Sequence, residues 1–141
     1  MTDKITSPYK YITINNSDIF EGNNTKLHLS KRSVDDYSLE ELQTIVGGNI
    51  QIIPMGKGQL IINENGKLEG LETNFSATSI WFNHYGQTDL IVGNALYCLD
   101  DIFEDINLIH YAFQTCQQTR RNIGAINSME SKLDWELVQY N

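Results

Sequence analysis

Apolar and polar positions alternate along this chain with a period that changes several times. "PYKYITIN" (8–15) gathers β-branched and aromatic residues and predicts a first strand. "NNSDIFEGNNTK", dense in Asn, Gly, Ser and Asp, predicts a loop, and "KLHLS" predicts a short second strand. At "SLEELQTIVGGNIQIIP" the period lengthens. Leu39, Leu42, Ile45 and Val46 share one helical face, and Ser38 with Glu41 makes a capping-box pair. Gly47–Gly48 then ends the helix, and "NIQIIPM" alternates as a strand into Pro54.

"GQLIINENGKLEGL" predicts a hairpin that turns at Asn65–Gly66, because both positions tolerate positive φ. "NFSATSIWFNHYG" predicts a helix capped by Asn74 and ended by Gly86, with Ala77, Ile80, Trp81 and His84 on its stripe. "TDLIVGNALYCL" predicts one or two strands around Gly93–Asn94. The longest helical pattern is "DDIFEDINLIHYAFQTCQQTRRNIG", in which Ile102, Ile106, Ile109, Phe113 and Cys116 recur on one face. The tail "SKLDWELVQY" alternates Leu133, Trp135 and Leu137 as a final strand, with helix as the alternative. Together these elements predict one α+β domain over 1–141, with a mostly antiparallel sheet flanked by two or three helices.

Composition narrows the class. At 141 residues with 40% hydrophobic content, the chain can bury one core without disulfide or metal. Cys98 and Cys116 both sit in apolar patterns and read as reduced core residues. No apolar run reaches the roughly 20 residues of a membrane span, and "MTDKITSPYK" has no apolar signal core, so a soluble cytoplasmic protein is expected.

Charge changes the picture more. Net charge is −8, and no lysine or arginine lies between Lys67 and Arg120. That stretch carries Glu69, Glu72, Asp89, Asp100, Asp101, Glu104 and Asp105. Direct binding to nucleic acid is disfavoured, since neutralising phosphate supplies most of such affinity. A basic protein surface is the better match. The glycine pair Gly47–Gly48 offers no phosphate cradle either. A cradle needs free N–H groups at a helix start, whereas here a helix ends and leaves carbonyls.

Three segments in order carry a family resemblance: "SLEELQTIVGGNIQIIPM", "LIINENGKLEGLETNFSAT" and "DLIVGNALYCLDD". Over residues 38–103 the chain resembles domain of unknown function 3846, a small domain of phages, plasmids and other mobile elements. The resemblance implies an α+β domain of mobile-element origin. It brings no catalytic residues with it.

The acidic run "DDIFED" pairs Asp100 with Glu104 and Asp101 with Asp105 at helical spacing. Like charges there cost a few tenths of a kcal/mol, partly offset by the helix start, so a solvated helix N-terminus and a contact for a basic partner both fit. Phe82 and Tyr85 fall off the stripe of their helix and are expected as exposed aromatic anchors. His28, His84 and His110 do not cluster, and no nucleophile or metal motif occurs, so no cofactor or metal is expected. These features predict a non-enzymatic phage or mobile-element accessory protein that binds a basic host protein stoichiometrically through Asp100, Asp101, Glu104, Asp105, Phe82 and Tyr85, as a counter-defence factor. A homodimer is compatible with the sequence. The alternatives are a sponge for a nucleotide signal, using Lys57, Arg120 or Arg121 beside an aromatic, and an acidic mimic of DNA.

Overall fold

The computed structural model of the protein describes residues 11–18, 20–99, 114–115, 117–119 and 121. Five strands form one sheet: β1 (Tyr11–Asn15), β2 (Lys26–Ser30), β3 (Ile50–Met55), β4 (Gly58–Asn63) and β5 (Ala95–Leu99). Their spatial order is β1-β2-β5-β4-β3. The β2–β5 pair is parallel and the other pairings are antiparallel, as the sequence predicts for a mostly antiparallel sheet. Helices α1 (Leu39–Val46) and α2 (Phe75–Tyr85) pack on opposite faces, and residues 114–115, 117–119 and 121 are also helical.

Side-chain parity explains why both faces are covered. Central strands bury both sides, so they read as continuous apolar runs rather than alternating ones. On the α2 face lie Leu27, Leu29, Leu60, Tyr97 and Leu99, packed with Ala77 and Ile80. On the α1 face lie Ile61, Leu96 and Cys98, packed with Leu42 and Val46. Trp81 joins the α2-side core only partly.

Local signals hold at most helix ends. Glu41 N donates to Ser38 Oγ at 3.0 Å, and Ser38 N donates to Glu41 Oε1 at 2.8 Å, completing the capping box. Gly47 takes φ of 79° and its N–H donates to Gln43 O at 2.8 Å, closing the helix. Leu39, expected on the buried face, is instead 58% exposed in the first turn.

The predicted Asn65–Gly66 hairpin is wrong by one strand connection. The hairpin joins β3 to β4, with Met55 opposite Gly58 and Gly56–Lys57 as the two turn residues. Gly56 supplies the positive φ there, at 61°. After β4, Asn63 Oδ1 accepts from Asn65 N at 2.8 Å, and the chain coils through residues 64–70 instead of returning as a strand. Leu68 therefore ends 89% exposed.

The loop read as "NNSDIFEGNNTK" hides the main polar network. Asn16, Asn74 and Ser76 have no exposed surface. Asn74 Oδ1 caps α2 by accepting from Ala77 N at 3.0 Å, and it also accepts from Asn16 Nδ2 at 2.8 Å. Asn74 Nδ2 donates to Lys26 O at 2.9 Å and Gly93 O at 2.7 Å. Asn16 Nδ2 donates to Thr25 Oγ1 as well, and Asn16 Oδ1 lies 3.0 Å from Ser76 Oγ. Asn23 Nδ2 extends the network to Thr73 O at 2.8 Å.

Removing one amide strands several buried partners at once. Asn74→Ala should destabilise the fold by about 3–5 kcal/mol, read from the urea midpoint. Asn74→Asp keeps the capping oxygen but sets a carboxylate against two carbonyls, so it should be no better. Near wild-type stability for the Asp variant would mean that the cap alone matters.

Candidate functional site

Helix α1 has oppositely signed ends, and a surface depression lies at each. At its C-terminal end, Val46, Gly47, Asn63, Glu69, Glu72 and Asn94 border a depression of about 370 Å³. The positive φ of Gly70, 69°, turns the chain between the two carboxylates. Glu72 Oε1 accepts from Asn24 N at 2.9 Å. Asn63 Nδ2 reaches Val46 O, Gly47 O and Glu69 Oε1 only at 3.4, 3.5 and 3.4 Å, long for N–H···O bonds. Among the described residues, no lysine or arginine lines this depression, and the negative end of the helix dipole adds to its carboxylates. Lys26, beside the lining residue Thr25, is the cation nearest in sequence.

The depression at the N-terminal end is also about 370 Å³, lined by Tyr11, Tyr37, Glu40, Glu41, Thr44 and Ile45 among others. Here the positive helix end offsets the carboxylates, typically by 0.3–1 kcal/mol, roughly what a single exposed ion pair is worth. A cation is therefore better served at the C-terminal end.

Behind Tyr11 sits His28, its ring centroid 4.5 Å away and its Nδ1 2.7 Å from Thr13 Oγ1. Burial, with Lys26 nearby, lowers the His28 pKa to about 4. Tyr37 OH donates to Ser30 Oγ at 2.7 Å, and burial pushes its pKa up to about 12. Both rings are thus neutral near pH 7, and the pair supplies no charge there.

A smaller depression of about 200 Å³ lies against α2. Its floor is Ile53, Ile62, Trp81, Leu90, Ile91 and Val92, and Glu64, Lys67, Leu68 and Asp89 are at its rim. Lys67 and Asp89 form an ion pair there.

The sequence-predicted contacts scatter. Asp100, Asp101, Glu104, Asp105 and Arg120 lie outside the described residues. Phe82 is half-buried with Phe75 and Leu90, which corrects the expectation of an exposed anchor. It belongs to a satellite cluster because Leu90 returns the chain over that side of α2. Tyr85 is 42% exposed, yet its OH donates to Pro54 O at 2.5 Å and its ring lies 4.5 Å from Trp81. Lys57 stands exposed in the hairpin turn, and Arg121 Nη2 donates to Gln118 Oε1 at 3.0 Å; neither lines these three depressions. Among the described residues, no group of three or more His, Cys, Asp or Glu could hold a metal ion. Glu69 and Glu72 belong to the basic-free stretch but were not singled out by sequence. Only folding brings them to the end of α1.

His28 generates a pH prediction. Its folded pKa, about 4, lies below the unfolded value near 6.5, so its stabilising contribution is complete above pH 6.5. That contribution is lost as pH falls from 6.5 toward 4, on the order of 2–3 kcal/mol. Urea midpoints should therefore drop across this window, and His28→Gln should flatten the drop.

Three comparisons with known proteins bear on this fold. The family described as a domain of unknown function (DUF3846) matches residues 23–117. No curated protein and no solved structure matches the chain. The matched span takes in β2 through β5, both helices, and the lining of the acidic depression at the end of α1. On that match, the chain belongs to the DUF3846 family.

Proposed function

We propose that the protein is a non-enzymatic accessory protein of a phage or mobile element. It binds a basic host protein stoichiometrically through an acidic surface and so counters host defence. The observation that carries this reading is the depression at the C-terminal end of α1, where Glu69 and Glu72 join the negative end of the helix with no lysine or arginine among the described lining residues. A lysine or arginine side chain entering it meets charges of one sign among the described residues. One exposed ion pair contributes about 0.2–1 kcal/mol, so useful affinity needs several such contacts. The run Asp100, Asp101, Glu104 and Asp105 supplies more carboxylates from the same basic-free stretch.

Such a surface acts chiefly on encounter rate and on choice of partner. A nucleotide would find little to hold it here. Among the described residues, Lys67 is the one lysine or arginine lining any of these three depressions, and it is already paired with Asp89.

The test is capture of a partner from host lysate with the intact protein, followed by calorimetry on the purified pair. The double variant Glu69→Lys, Glu72→Lys should bind at least about tenfold more weakly, and wild-type affinity should fall as salt rises. Unchanged affinity both in that variant and in a fourfold reversal at Asp100, Asp101, Glu104 and Asp105 would overturn the reading.

A further inference from the structure

We infer that the protein self-associates, with Leu68 of each copy seated in the apolar depression beside Trp81 of the other. A single exposed leucine is ordinary on a protein surface. Leu68 differs in its position. It is 89% exposed, the most of any large hydrophobic residue described, and it stands at the rim of a depression with an apolar floor. The loop holds it outside that floor. Glu69 N donates to Asn65 O at 3.0 Å, Gly70 N to Lys67 O at 3.1 Å and Leu71 N to Gly66 O at 3.1 Å, which fixes the backbone on both sides.

Size and symmetry select the occupant. A volume of about 200 Å³ falls below the roughly 300–1,000 Å³ of small-molecule pockets, but it can take an aliphatic side chain. In a two-fold pair, a knob beside its own hole is carried to the partner's hole, and both contacts form together. Charge agrees with this. At the rim Lys67 is neutralised by Asp89 within the copy, which leaves Glu64 as the one unbalanced charge among the described rim residues, so little repulsion is set there between two copies. The depression at the end of α1, whose charged lining residues among those described are Glu69 and Glu72, would repel its own copy on a partner. Strand addition is a poorer route. Gln51 and Ile53 of the edge strand β3 border the depression, but Pro54 in the same strand has no N–H to offer.

Because each copy carries a net charge of −8, salt should strengthen this contact by screening repulsion. The proposed host contact has the opposite salt dependence, so the two claims can fail separately. Sedimentation equilibrium of the full chain at about 0.05 and about 0.5 M salt tests the inference. A concentration-dependent dimer that tightens at higher salt is expected. Leu68→Asp should weaken it about tenfold or more, while Leu68→Met should retain it. The urea midpoint of Leu68→Asp, taken at a concentration where wild type is monomeric, should match wild type, since the side chain is exposed. A monomer at every concentration and salt, or a dimer indifferent to Leu68→Asp, would overturn the inference.

Discussion

Two buried side-chain amides, Asn16 and Asn74, fix the arrangement on which the rest of this structure depends. An amide taken out of water loses its solvent hydrogen bonds and costs a few kcal/mol unless every donor and acceptor is matched. Here the matching is dense. Asn74 alone ties the first turn of α2, the carbonyl of Lys26 at the start of β2 and the carbonyl of Gly93 just before β5. Those two carbonyls flank the sheet's parallel pair, which no short turn can set in register. Asn16 then fastens the end of β1 to the same point. Any displacement of one element would strand partners in all the others.

With the sheet and α2 held in this way, α1 is free to cover the opposite face and to impose its field there. Eight residues are enough for a dipole whose ends differ in sign. Carboxylates occur at both ends of α1, yet their effects differ. Glu40 and Glu41 lie in the first turn, where the helix offsets them, and Glu41 is committed to Ser38. Glu69 and Glu72 share a depression with Val46 and Gly47 at the closing end of the helix, where its dipole adds to them. The same kind of side chain is therefore a helix start at one end and a cation-accepting surface at the other.

Much of the fold was legible because its signals are local. Ser38 with Glu41, Gly47 with its positive φ, and Asn74 before "FSAT" all work within one helical turn. Residue type alone does not place the hairpin, because Asn65–Gly66 and Gly56–Lys57 are both acceptable turns. Strand pairing and the side chain of Asn63 decided between them. Asn16, Asn23 and Thr25 read as solvated loop because composition carries no sign of burial. They are buried since partners as distant as Asn74 and Thr73 satisfy them. The site was legible only as a charge imbalance. The helical stripe places Phe82 in solvent because it carries no information about Leu90, which packs with Phe82 and Phe75.

Periodicity, caps and charge along the chain determined the element types, the α+β class, and an acidic stretch unsuited to phosphate. These depend on residues within a few positions of one another, so no folded partner is needed to read them. Tertiary structure alone decided which turn closes the hairpin, which asparagines leave water, and which two carboxylates meet the negative end of α1. Each of those outcomes depends on groups far apart in sequence, whose energies of contact exist only after the chain has closed on itself.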